Sequence, residues 1–304
     1  MITVLSGGVG AARLLDALRH VTSPHEITAV VNVGDDLTMH GLMICPDLDT
    51  IMYTLAGLNN QELGWGLQGE SWRVMDELDD LGGEAWFRLG DRDLATHLYR
   101  TQRLAYGATK TQVTRELCDR LGVAVRLLPV TDDVIGTCFD TELGRLSFQE
   151  YFVRHHHGVA VSAIDIVGAD VATPTIEVLD ALRTASRIVL APSNPLISID
   201  PILCVPGIRE VLEERRDVVV GISPIIDGHA LKGPADRLLA ELGHEVSCLG
   251  VVDFYKGLVG TWIIDEADAA RAEDVRSRGV HVLVTTTIMA DPANALRLAM
   301  AVLS

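Results

Sequence analysis

The stretch LSGGVGAARLL, residues 5–15, places Gly7, Gly8 and Gly10 between a short apolar run and an amphipathic one. Small residues at such a turn let backbone N–H groups and a helix N-terminus approach an anion. The turn therefore reads either as a diphosphate cradle or as a merely tight strand-to-helix connection. It is not a Walker A loop, because no Gly-Lys-Ser/Thr follows, and the GxGxxG fingerprint fails at its third glycine, where Arg13 stands. A nicotinamide dehydrogenase would also end its second strand on an acid, where this chain has Asn32.

Further along, NVGDDLTMHGLMICPDLDTIMYTLAG carries four aspartates, Asp35, Asp36, Asp47 and Asp49, within fifteen residues. Asp47 or Asp49 could cap the helix that follows. Carboxylates close to a phosphate-binding strand end also suit Mg2+, a hard cation that takes one or two carboxylates together with substrate phosphates. For any one of the four, capping and metal or substrate binding stand as alternatives. The segment WFRLGDRDLATHLYRT groups Arg88, Asp91, Arg92, Asp93 and His97 around a helix start, where exposed i,i+4 pairing is the bland alternative. Arg88 differs from the rest in following Trp86 and Phe87, which would set a cation beside aromatic surface. APSNPLISIDP exposes Ser193 and Asn194 between prolines, and Ser223-Pro224 repeats the pattern. The triple histidine at 155–157, if extended, points neighbouring rings to opposite faces and reads as a solvated loop.

These residues need a scaffold that collects strand ends. ITVL, then AARLLDALRHV, then EITAVVNV reads as a β-α-β unit. From 41 to 121 strand signals give way to helical periods, so this block reads as a helical insertion. Extended segments return in AVRLLPVT, GTCFDT, GRLSFQEYFV and VSAIDIVG. The remainder alternates strand-like RIVLAPSN, DVVVGISP, VSCLGVV and VHVLVTTT with helical segments. The expected fold is a single α/β domain over 1–304, a Rossmann-like, doubly wound, mostly parallel sheet with the 41–121 insertion. Ligands of such sheets bind beyond the carboxyl ends of the strands.

With 304 residues, 48% of them hydrophobic, the chain can bury a large core. A net charge of −17 argues against nucleic acid as a partner and means that an anionic substrate must be held by local groups. Five cysteines without CxxC pairing fit a reducing compartment. The chain opens on a core strand and has no apolar run of membrane-spanning length, so no membrane association and a cytoplasmic location are expected.

The glycine turn, the HGLMICPDLDTIMYTLAG block, WFRLGDRDLATH and APSNPLISIDP with SPII together resemble the 2-phospho-L-lactate transferase family (CofD/FbiA type), in order and through nearly the whole chain. The resemblance implies a transferase of coenzyme F-420 biosynthesis, usually a homodimer using Mg2+. It would move a phosphoenolpyruvyl or 2-phospholactyl group from a guanosine-diphosphate-activated donor to the ribityl hydroxyl of the deazaflavin Fo, releasing GMP. On this resemblance Asp49 and Arg88 would contact the deazaflavin, with Asp49 also orienting or deprotonating the hydroxyl. Gly7, Gly8 and Gly10 would cradle the diphosphate, Asn194 would line the nucleotide side, and Asp36 and Asp47 would contact the metal. A non-catalytic, nucleotide-sugar- or dinucleotide-binding regulator of the gluconeogenesis-factor type is the rival.

Overall fold

The computed structural model describes residues 1–62 and 64–304. Seven strands form the central sheet: β1 (Ile2–Ser6), β2 (Ile27–Val31), β3 (Arg126–Pro129), β4 (Arg187–Leu190), β5 (Val219–Ile222), β6 (Thr261–Ile264) and β7 (His281–Val284). Their order is β7-β6-β5-β4-β1-β2-β3, and every pair is parallel. The protein is thus α/β and doubly wound, with the strand order reversing between β1 and β4, the switch point at which such sheets open a crevice. All five residues of β1 and of β2 are buried, which is why both read as unbroken apolar runs rather than alternating ones.

Helix α1 (Gly8–Val21) follows the glycine turn and buries Ala11, Leu14, Leu15 and Leu18, the spacing of one helix face. It packs on α2 (Pro46–Leu55) and on the C-terminal helix Pro292–Leu303. Between β2 and β3 the chain forms a short hairpin, Leu37–Met39 with Leu42–Ile44, then α2, α3 (Arg73–Asp80), α4 (Asp93–Ala105) and α5 (Lys110–Leu121). Thr109 opens α5 with a reciprocal capping box to Gln112, and Gly122 ends it in the left-handed region. A small second core of Met39, Ile44, Met75 and Leu89, with Trp86 and Phe87 packed against it, holds this region together.

A three-stranded antiparallel sheet (Gly136–Thr141, Gly144–Ser147 and Val161–Val167) lies beside the main one. GRLSFQEYFV is extended only through Ser147. The chain then winds into a wide turn over Glu150–Arg154, which stacks Phe148 on Phe152 with centroids 5.3 Å apart and Tyr151 on Phe139 at 4.0 Å. VSCLGVV is a helix, Cys248–Phe254, and not a strand. The Ser247 hydroxyl accepts from Leu249 and Gly250 N–H, and this cap starts a helix on an apolar run whose composition alone suits either structure. The strand expected there is instead TWII, which forms β6.

Candidate active site

At the carboxyl edge of the sheet lies a cavity of about 870 Å³. It is lined by Gly7–Gly10 after β1, Asp35 after β2, Pro192–Asn194 after β4, Ser223 and Pro224 after β5, and Thr287–Ala290 after β7. Trp65, Trp86, Phe87, Arg88, Phe148 and Phe152 add aromatic surface and a cation to the same lining.

The glycine turn is small because other chain segments press on it. A Cβ on Gly7 would stand 2.7 Å from Ser198 Cβ and 2.9 Å from Asp47 Oδ2, and one on Gly10 would stand 2.6 Å from the Pro192 carbonyl. Ser193 ties the same two loops by donating to the Gly7 carbonyl at 2.7 Å. Gly8, with φ +67°, donates its N–H to Asp47 at 2.8 Å. The next first-turn donors, Val9 and Gly10 N–H, have no acceptor among the described residues, and Arg13 lines the cavity one turn further on. An anion placed here meets free N–H groups, the positive end of α1 and a guanidinium. Asn194 also lines the cavity, while its Oδ1 caps the following turn at Leu196 N–H.

Of the four aspartates, Asp35 and Asp47 face the cavity. Asn32, buried completely, explains part of this: its amide donates to Asp47 at 3.0 Å, while its Oδ1 accepts from Gly34 N–H at 2.8 Å. Burial raises Asp47 to about 6, against the lowering pull of the Asn32 and Gly8 hydrogen bonds. Burial, followed by the charge of Asp47, lifts Asp35 well above the usual carboxylate range. Asp35 Oδ1 is buried and takes no hydrogen bond among the described residues. Two buried carboxylates with raised proton affinity, one with a vacant oxygen, beside unclaimed N–H donors are a donor set that would suit a divalent cation next to a phosphate.

Asp36 and Asp49 stand elsewhere. Asp36, expected at the metal, points away from the cavity and receives Lys110 Nζ at 2.6 Å in a buried pair. Burial alone would lower the Lys110 ammonium, but the Asp36 carboxylate outweighs it and holds the charge. Asp49, expected at the transferred hydroxyl, lies behind the cavity wall and takes both terminal nitrogens of Arg100. Its neighbours His97 and Asp93 bring three potential ligands within 4.8 Å, yet the Arg100 guanidinium already supplies the cation there and also contacts His97 Nδ1 at 3.3 Å. Asp49 thus pins α2 to α4 and, through α2, sets Asp47 and Thr50 on the cavity wall. Arg88 does reach the cavity, paired with Asp76 and lying 5.6 Å over the Trp72 ring. Trp86 contributes a buried indole N–H with no acceptor among the described residues.

This strand-end cavity, with its glycine turn, aspartate pair and aromatic lining, is assembled from the sequence blocks that carried the resemblance. The profile of the family described as 2-phospho-L-lactate transferase CofD matches residues 2–294. The chain belongs to the CofD family. It is 44% identical to the phosphoenolpyruvate transferase of Streptomyces griseus, covering 95% of this chain and 93% of that protein. Identity to the phosphoenolpyruvate transferase of Mycobacterium tuberculosis is 42%, over 93% of each chain. Among solved structures, a member of the UPF0052 family from Bacillus halodurans superposes with a TM-score of 0.64 at 20% identity, covering 100% of this chain and 98% of that one, a likeness of fold. As a CofD-family chain the protein is a transferase. No helix among the described residues is long and apolar enough to cross a membrane.

Sequence reasoning named Asp36 where Asp35 faces the cavity, and it missed Lys232 and Phe148. The triple histidine is partly absorbed: His156 reaches the cavity with φ +49°, and His157 packs on Phe152 at 5.1 Å.

Proposed function

We propose that this CofD-family chain transfers a phosphoenolpyruvyl group, or a 2-phospholactyl group, from a guanosine-diphosphate-activated donor to the ribityl hydroxyl of the deazaflavin Fo. The products are dehydro coenzyme F-420-0, or F-420-0, and GMP, a substituted-phosphate transfer of the EC 2.7.8 class. The observation that carries this reading is one cavity lined both by the glycine turn, with its unclaimed N–H groups, and by Trp86, Phe87, Phe148 and the cation Arg88. The diphosphate belongs at Val9, Gly10 and Arg13, and the deazaflavin ring at Trp86, Phe87 and Phe148. In the transfer the hydroxyl oxygen bonds to the phosphorus that carries the three-carbon acid. The anhydride P–O bond breaks, GMP leaves with the bridging oxygen and its electron pair, and the hydroxyl proton passes to a carboxylate.

Mg2+ is the proposed cofactor, with Asp35 and Asp47 holding it; when bound, it supplies charge neutralisation on the diphosphate. The protein's own contribution is placement: Asn32 and Gly8 fix Asp47, Ser193 fixes the turn, and the aromatic wall orients the acceptor. A homodimer, which rests on the family resemblance, and a cytoplasmic location, which rests on the sequence pattern, complete the reading. The test is a mass-resolved assay with purified protein, Mg2+, Fo and the guanylated enolpyruvyl donor, with the lactyl donor run alongside. Deazaflavin product with equimolar GMP is the expected result, and the better donor identifies the acid. Tight nucleotide binding without product would replace this reading with the non-catalytic regulator.

A further inference from the structure

Among the described residues, the arginine and lysine side chains that line the cavity are Arg13, Arg88 and Lys232. Arg88 is paired with Asp76, whereas Arg13 and Lys232 have no carboxylate within ion-pair distance among the described residues. Of the other two lysines in the chain, Lys110 is buried against Asp36 and Lys256 lies outside this cavity. Lys232 sits just after a two-residue hairpin, Ile225–Ile226 with His229–Ala230, in a segment flanked by Gly228 (φ +78°) and Gly233 (φ +71°). The turn of that hairpin is held in place, since Asp227 N–H donates to both oxygens of the buried Asp268. The ammonium lies on the Val9 side of the cavity: a Cβ placed on Gly64 would stand 3.9 Å from Lys232 Nζ and 3.8 Å from both Val9 methyls.

An ammonium, a guanidinium and the positive end of α1 line one cavity. They repel one another, and Asp47 is already engaged by Gly8 and Asn32. In a chain with 42 acidic and 25 basic residues, carboxylate partners are plentiful, so the group that completes this arrangement is an anion from outside. We infer that Lys232 is a phosphate-contacting residue that holds the diphosphate of the donor and neutralises the charge that gathers on the GMP phosphate as the anhydride bond breaks. This rests on the donor proposed above. Lys232 is suited to that task because a compact ammonium on a glycine-flanked loop can follow the departing oxygen, whereas Arg13 is fixed to a helix.

The experiment compares wild type, Lys232→Ala, Lys232→Arg and, as a charge control away from the cavity, Lys256→Ala. It measures calorimetric binding of inorganic pyrophosphate and of GDP, and turnover of the guanylated enolpyruvyl donor. Lys232→Ala should weaken pyrophosphate about tenfold or more and lower kcat roughly 10²-fold, with Lys232→Arg partly restored and Lys256→Ala unchanged. Wild type that binds GDP, with Lys232→Ala equal to it in affinity and kcat, overturns the role of Lys232 and leaves the donor reading standing. Lower affinity with unchanged kcat keeps the contact and overturns the leaving-group role. Lys232-dependent pyrophosphate binding without GDP binding keeps the anion contact and removes the guanylated donor. Wild type that binds neither overturns both.

Discussion

Asp47 accepts the N–H of Gly8 at 2.8 Å, so the residue that faces the cavity from α2 also caps the turn that opens α1. This single contact joins the carboxylate chemistry of the site to its anion cradle. It also places a second acceptor-only group next to the position proposed for a diphosphate, an arrangement that is favourable only when a proton or a cation stands between them.

Replacing Asp47 by Asn should therefore separate stability from turnover. Its pKa is raised from 3.8 to about 6 in the folded state, so the native protein binds more protons than the unfolded chain between those values. Stability linked to this group is fully present below pH 3.8 and is lost as pH rises through 6. At pH 7.5 the ionised carboxylate costs roughly 1–3 kcal/mol. Asn removes that charge and still accepts from Gly8, but its NH2 then faces the Asn32 amide donor, a cost that does not depend on pH. Metal-free Asp47→Asn should therefore compare more favourably with wild type in melting temperature at pH 7.5 than below pH 4, while kcat falls at least about 10²-fold. Thermal melts across pH, alongside steady-state kinetics, decide it; an equal difference from wild type at both pH values would show that Asp47 is not held ionised against a cost.

Gly10→Ala tests the packing of the turn. A Cβ there would stand 2.6 Å from the Pro192 carbonyl, so the loop after β4 must move. The expected loss is about 1–3 kcal/mol by overpacking, with GDP affinity reduced because Ser193 and Asn194 shift with that loop. Chemical denaturation and calorimetry read the two effects, and an unchanged GDP affinity in the destabilised variant would place the diphosphate away from this turn.

The buried Asp49–Arg100 pair should behave as one unit. Removing either partner leaves an uncompensated buried charge, at about 3–5 kcal/mol for Arg100→Leu or Asp49→Leu alone. The double variant should be less destabilised than the sum of the two, since no charge remains. A double-mutant cycle by urea denaturation measures this coupling, and additive losses would mean that the two side chains do not pair.

The sheet was legible where strands are buried on both faces. ITVLS and ITAVV are unbroken apolar runs, and Gly7 to Gly10 mark where the first of them turns. The helix at Cys248–Phe254 was not legible, because an apolar run with β-branched residues suits either structure until the Ser247 cap chooses. At the site, composition located the aspartate cluster but not its orientation. Asp35 and Asp36 are adjacent, and the choice of which one faces the cavity is made by Lys110, 74 positions away. Asp49 is likewise withdrawn by Arg100, 51 positions away. Long-range charge pairing leaves no local periodicity to read, so it emerges only once the chain is folded.

The same asymmetry predicts how metal acts. Mg2+ bound at Asp35 and Asp47 requires both to be ionised, and both have raised pKa values, so protons compete directly with the cation. Stabilisation by Mg2+ should be absent at pH 5 and grow as pH rises through and above 6, reaching about 2.7 kcal/mol when the metal is at 100 times its dissociation constant. Asp35→Asn should abolish that increment, because it removes the vacant carboxylate oxygen, whereas Asp36→Asn should leave it in place, since Asp36 is committed to Lys110. Melting curves with and without Mg2+ at several pH values distinguish the two aspartates. A metal response lost in Asp36→Asn but retained in Asp35→Asn would move the cation to the other side of the strand end.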